Sequence, residues 1–230
     1  MISTKRPIIF YVDESYAKNF LGISIVIIDG IRNQKIIANE VVALMRDPIF
    51  SHYTGSAKFH YVSHAIAARQ MLLHKFYQLP LSAYIAYKKN GVKGMSKKQQ
   101  DSFVYETLLP SLLDKIARKH QKLSRVVFKL NFEQLSSKKG QDKVFFKQCI
   151  QTLKYNFEVA VIGKNDLFSI LPDYFLGIFC SALTRRKSTT WPKQELQIVE
   201  DKIGLIVNAS NKKPIYYDRG KKIKAFIQSL

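Results

Sequence analysis

Two acidic residues, Asp13 and Glu14, follow directly on the apolar run Ile8-Ile9-Phe10-Tyr11-Val12. Side chains alternate along a strand, so Asp13 shares a face with Ile9 and Tyr11, and Glu14 with Phe10 and Val12. At most one of the pair can point at a given site. A carboxylate that ends a buried strand can act as a catalytic ligand, although acidic residues also open turns, and Ser15 follows. Asp173 sits among Ile170, Leu171, Pro172, Tyr174, Phe175 and Leu176. An ionised carboxylate in such apolar surroundings is costly unless a cation or hydrogen-bond donors compensate it. Equally, Pro172 suits the first helical position, which puts Asp173 in a first turn where N–H groups favour an anion. In the run Val126–Glu133, the residues Val127, Lys129, Asn131 and Glu133 share one face. An acidic residue arriving only at the end of that run fits either a sheet edge where loops gather or a strand emerging into solvent.

His60 and His64 would lie one turn apart on an early-starting helix, the spacing of a paired metal site, but no third ligand accompanies them. The basic residues cluster: Lys88, Lys89, Lys93, Lys97 and Lys98 around Gly91 and Gly94; Lys138, Lys139 and Lys143; Arg185, Arg186 and Lys187 before Trp191. The glycines lack the spacing of a phosphate-binding loop, so ATP binding by that motif is not expected. Lysine and arginine beside aromatic residues such as Trp191, Tyr216 and Tyr217 suit contact with a phosphate backbone plus base stacking, while any single cluster also reads as a solvated face.

The elements that must position these residues follow from the apolar pattern. Residues 8–12 and 20–28 read as buried strands, with a turn at Asp29-Gly30. Residues 36–44 read as a third antiparallel strand or a short helix. A helix over 63–77 stops before Pro80. Strands near 81–87, 125–132 and 158–162 then alternate with helices over 97–120, 141–155 and 171–183. Hairpin strands followed by such alternation predict an α/β fold, a mixed sheet flanked by helices. Beyond Arg186 the chain turns polar and basic, with a helix from Lys193 to about Val207. The reading is one domain over 1–186 and a small basic C-terminal extension, 187–230, packed on or beside it.

The chain has 230 residues, 37 Lys and Arg against 17 Asp and Glu, and a formal net charge of +20. Surfaces built for solubility usually stop at a net charge of roughly two to eight, so this excess implies a polyanionic partner, DNA or RNA. Cys149 and Cys180 stand alone, which suggests neither disulfides nor a zinc site. No secretory signal or membrane span is read from the pattern, and a cytoplasmic protein is expected.

Two segments together resemble a known family. Phe10-Tyr11-Val12-Asp13-Glu14-Ser15, followed by Leu21-Gly22, looks like the Val-Asp-Glu-Ser-Gly start of the bacterial family called domain of unknown function 3800. Ile170-Leu171-Pro172-Asp173-Tyr174-Phe175-Leu176-Gly177 is similar to its Gln-Leu-Ala-Asp-Leu-Ile-Ala-Gly segment, and Lys58-Phe59-His60 resembles its Lys-Phe/Ile-His element before a helix. The resemblance spans roughly residues 8–186. It implies an RNase H-like fold in which acids from the first strand, a central strand and a late helix converge on divalent metals. Asp13 and Asp173 carry over directly, and Glu14 and His60 follow. Tyr16 replaces the family's usual glycine and Pro172 a common alanine. Where the central strand should offer an aspartate, this chain has Asn131, with Glu133 two residues on and on the same face. A neutral amide is a weaker magnesium ligand than a carboxylate.

The resemblance therefore implies a metal-dependent nuclease acting on phosphodiester bonds. Asp13, Glu133 and Asp173, with Asn131 as the weaker candidate, would hold Mg²⁺ or Mn²⁺, and His60 would assist proton transfer or orient substrate. Glu14 joins the candidate catalytic acids. The basic clusters and Trp191 would hold the nucleic acid. The alternative keeps the fold and charge around a degraded site: a nucleic-acid-binding or recruitment module, with protein partners in a mobile-element or defence system. A weaker third reading is a subunit whose charge meets an acidic protein.

Overall fold

The computed structural model describes residues 6–17, 19–54, 60–90, 92–120, 126–135, 140–184, 191–218 and 220–230. The chain opens with β1 (Arg6–Ala17) and β2 (Phe20–Asp29), paired antiparallel. Gly30, with φ of 86°, turns it into α1 (Ile31–Leu44). There follow α2 (Ile66–Gln78), β3 (Leu81–Lys89), α3 (Lys97–Ser102), one π turn over Phe103–Leu108, and α4 (Leu109–His120). The remainder comprises β4 (Val126–Glu133), α5 (Asp142–Ile150), β5 (Phe157–Ile162), α6 (Ile170–Thr184), α7 (Trp191–Ile198), β6 (Ile203–Asn208), β7 (Ile215–Asp218) and α8 (Lys221–Ser229).

The seven strands form one sheet in the order β5-β4-β1-β2-β3-β6-β7. The pairs β1–β2, β2–β3 and β6–β7 are antiparallel, and β1–β4, β4–β5 and β3–β6 are parallel. The protein is thus α/β, a mixed sheet flanked by helices, and compatible with an RNase H-like fold. Alternation along β1 and β2 divides the core. Ile9, Tyr11, Val26 and Ile28 pack under residues of α1, α2 and α6. Ile8, Phe10, Val12 and Ile23 pack under the π turn, α4 and α5. Runs buried on both faces are what a central strand requires.

One open alternative is decided and one expectation needs correction. Residues 36–44, read as a strand or a short helix, belong to a helix: Ile37 and Val41, one turn apart, are its buried residues. At the other end, the helix expected from Lys193 to about Val207 stops at Ile198, and Ile203–Asn208 is strand β6 beside β3. The apolar run Ile203-Gly204-Leu205-Ile206-Val207 is buried throughout, which suits a strand covered on both sides. The segment after residue 187, read as a peripheral extension, thus contributes two strands to the common sheet. Among the described residues no helix is long and apolar enough to cross a membrane.

Candidate active site

The carboxyl ends of β1 and β4 lie side by side because these strands are parallel and in register, Tyr11 opposite Asn131 and Val12 opposite Phe132. One further step sets Asp13 beside Glu133, and neighbouring residues of parallel strands share a face. Helix α6 packs across that face and supplies Asp173 from its first turn. Burial, followed by the negative charges of Glu14, Asp173 and Glu133, holds the Asp13 carboxyl well above the usual carboxylate range. Glu133 is raised as well, first by burial, with His60 and Lys164 pulling the other way. Three acids read from distant parts of the sequence therefore stand within electrostatic reach of one another.

Asp173 reaches from the first turn of α6 to the segment that carries His60. Its Oδ2 accepts the Tyr61 backbone N–H at 2.5 Å, and its Oδ1 lies 3.3 Å from His60 Nδ1. This hydrogen bond is the main reason that the His60 imidazole keeps its proton to higher pH than usual, against the lowering effect of burial. The segment carrying His60 is fixed from behind. Tyr61 Oη donates to Glu195 Oε2 at 2.8 Å, Arg69 Nε donates to Glu195 Oε1 at 3.1 Å, and Arg69 Nη1 donates to the His64 carbonyl at 3.1 Å. Gly177 makes room: a Cβ there would lie 2.5 Å from Tyr61 Cδ1. His64 turns away from this cluster and meets the Tyr174 hydroxyl, so the two histidines serve different partners.

Glu14 points to the opposite face. Its carboxylate accepts from the Tyr105 hydroxyl, presented by the π turn before α4. Burial raises the Glu14 carboxyl, while the Tyr105 hydrogen bond and the Lys97 charge hold it back. Tyr16 Oη donates to Asp101 at 2.7 Å, and Lys97 pairs with Asp101 at 3.0 Å while lying over the Tyr16 ring. A cleft of about 120 Å³ joins the two sides of the sheet end, lined among others by Glu14, Glu133, Lys97 and Lys164.

Asn131 Nδ2 donates to the Phe10 carbonyl at 3.1 Å, a bond that ties β4 to β1 and engages the amide nitrogen rather than the ligating oxygen. Among the described residues no three His, Cys, Asp or Glu side chains form a ready-made metal cage. The donor set nevertheless suits a hard divalent cation, being carboxylate oxygens with one imidazole. A second sign is Ser24: it lies opposite Asp13 across β1–β2, is fully buried, and among the described residues its hydroxyl has no hydrogen-bond partner. A buried carboxyl raised by its neighbours' charges beside an orphaned hydroxyl is what a bound cation or its water would satisfy.

The cationic residues divide. Lys97 lines the acidic cleft, and Lys93 and Lys98 are exposed. Lys89 Nζ donates to the Leu183 carbonyl at 2.9 Å near the end of α6, and Lys88 lies over the Phe103 ring. Trp191 is partly buried, with the Arg69 guanidinium 4.3 Å from its ring centroid, which gives it a packing role. Lys58, Phe59, Gly91, Lys138, Lys139, Arg185, Arg186 and Lys187 lie outside the described residues. Lys164, two residues beyond the end of β5, escaped the sequence reading. Its place after a parallel strand was the available signal, since open α/β sheets bind ligands beyond the carboxyl ends of their strands.

No protein-family model matches the chain, and no curated protein matches it.

Proposed function

We propose that this chain is an RNase H-like, metal-dependent nuclease, with Asp13, Glu133 and Asp173 as its acidic centre. The carrying observation is the convergence of Asp13, Glu133 and Asp173, the first two raised by burial and by neighbouring negative charges, that of Asp173 among them, at the end of the sheet. A divalent cation held by these three would supply Lewis-acid activation of water and offset charge building on the phosphate. His60, oriented by Asp173 and protonated to higher pH than a free imidazole, is placed to donate a proton to a leaving oxygen. Lys97 and Lys164 line the cleft that Glu133 borders and suit phosphate contact. The net charge of +20 supports a DNA or RNA substrate whose affinity falls steeply with salt.

A second reading is favoured by Asn131: an amide stands where the family resemblance implies an aspartate, leaving the centre one carboxylate short of that pattern. A chain with that defect would bind nucleic acid, or recruit partners to it, without cutting. One assay separates the two. Labelled single- and double-stranded DNA and RNA are incubated with Mg²⁺, with Mn²⁺ and with chelator, beside Asp13→Asn and Asp173→Asn. Metal-dependent cutting lost in both variants supports the nuclease. Salt-sensitive binding with no cutting by the wild type rejects it in favour of the module.

A further inference from the structure

A second cleft lies between α4 and the strands β6 and β7, lined among others by Tyr84, Leu205 and Tyr216. Tyr84 and Leu205 belong to the core that includes Phe10 and Val12, so this cleft opens on the face opposite Asp13. Strand β6 is also three places from β1, about 14 Å at roughly 4.8 Å per strand. The cleft encloses about 390 Å³, within the roughly 300–1,000 Å³ of small-molecule sites.

Its floor is a built irregularity. Ala83 pairs with Ile203 and Tyr84 with Leu205, which leaves Gly204 as an extra, unpaired residue in β6. Bulges re-aim side chains beside functional sites, and a glycine within a strand marks close approach to the backbone. A Cβ at Gly204 would lie 2.7 Å from Tyr84 Cζ, so only glycine leaves the Tyr84 ring in place.

The walls pair cations with aromatic rings. Lys115 Nζ lies 4.7 Å from the Tyr216 ring centroid, and Lys119 Nζ lies 3.3 Å from the Tyr84 hydroxyl. Lys115 and Lys119 are one turn apart on α4, so both ammonium groups face the same space. Asp218, the acid in the lining, lies 3.4 Å from Lys222. Tyr216 is 39% exposed. An accessible ring beside one lysine, with a second lysine lining the same cleft, is a combination that can hold a base by stacking and its phosphate by charge.

We infer that this cleft is a nucleotide-binding subsite: the base stacks on Tyr216 and the phosphate meets Lys115 and Lys119. The assignment goes beyond the proposed cleavage and does not require Asp13 or Glu133 to be active.

Calorimetric titration of the full chain with uridine 5′-monophosphate, uridine and inorganic phosphate tests it, beside Lys115→Gln/Lys119→Gln, Tyr216→Ala and Asp13→Asn. The expected result is nucleotide binding tighter than either fragment, weakened about tenfold or more in the lysine and tyrosine variants and unchanged in Asp13→Asn. Thermal melting confirms that each variant is folded, and Tyr216→Leu replaces Tyr216→Ala should the latter unfold. Nucleotide binding that is absent, no tighter than phosphate, or undiminished in the folded variants overturns the assignment. A single-stranded decauridylate identifies the source of the ligand. Weaker binding in both variants makes the cleft a subsite for a strand, whereas loss confined to the mononucleotide makes it a site for the free nucleotide.

Discussion

Asp13 and Glu14 are adjacent in sequence, yet the two sides of the sheet treat them differently. Glu14 faces the Tyr105 hydroxyl, with Lys97 close enough to favour its charge. Asp13 is raised well above the usual carboxylate range, first by burial and then by the charges of Glu14, Asp173 and Glu133. Burial raises both acids, but the Tyr105 hydroxyl and Lys97 offset part of the cost for Glu14, whereas neighbouring carboxylates add to it for Asp13. Excess negative charge that the fold does not neutralise is a mark of a site, because structural carboxylates are ordinarily paired or hydrogen-bonded.

The largest expected effect breaks or upholds this contrast directly. If the proposed nuclease reading holds, Asp13→Asn should reduce metal-dependent cleavage by about a hundredfold or more, since losing a metal ligand would remove several kcal/mol of charge stabilisation. Glu14→Gln should stay within about tenfold, as a supporting residue. Equal losses measured with one labelled substrate would erase the distinction between the faces.

Next in size is Gly177→Ala, whose methyl group meets the Tyr61 ring. Overpacking of this kind costs about 1–3 kcal/mol, or roughly 2–4 °C in Tm per kcal/mol for a chain of this length. Displacement of Tyr61 should also lower cleavage, because Tyr61 N–H and His60 are held on the same carboxylate. An unchanged Tm in thermal melts would refute the tight approach of α6.

A smaller effect concerns stability without metal. Asp13 has a folded pKa above its unfolded value, so its contribution is most favourable below the unfolded pKa of about 3.9 and is lost as pH rises through the folded value. Metal-free Asp13→Asn should therefore melt higher than wild type at neutral pH, and Mg²⁺ should raise the melting temperature of wild type alone. A variant that melts lower in chelator would show that the Asp13 charge is already satisfied.

The smallest effect is the titration of His60. Asp173→Asn should bring the imidazole down toward the ordinary value of about 6.5. In the wild type, the stability gained from this pair is complete below that pH and lost as pH rises through the raised folded value. A His60 titration by NMR that does not move between the two proteins would deny the hydrogen bond its role.

Much of the sheet was legible because its strands are long, apolar and bounded by turn residues: β1, β2, β3 and β5 all fall where the pattern put them. The C-terminal strands were not. Ile203–Val207 follows a helical segment closely, and only its pairing with β3 distinguishes strand from helix. Asp13 and Asp173 stood out as charges in apolar runs, a signal carried by single residues. Tyr105, Tyr61, Arg69 and Glu195 gave no such signal, because their importance lies in hydrogen bonds across long stretches of chain.

By itself the sequence determined the α/β alternation, the excess of positive charge and which acids are set among apolar neighbours. These are local properties of composition and periodicity. Only the tertiary structure decided that Asp13 meets Asp173 and Glu133 while Glu14 meets Tyr105, and that Asn131 is bound to the backbone. The physical reason is register: strand pairing and helix packing choose which alternate side chains share a face, and no local pattern specifies the neighbour across the sheet.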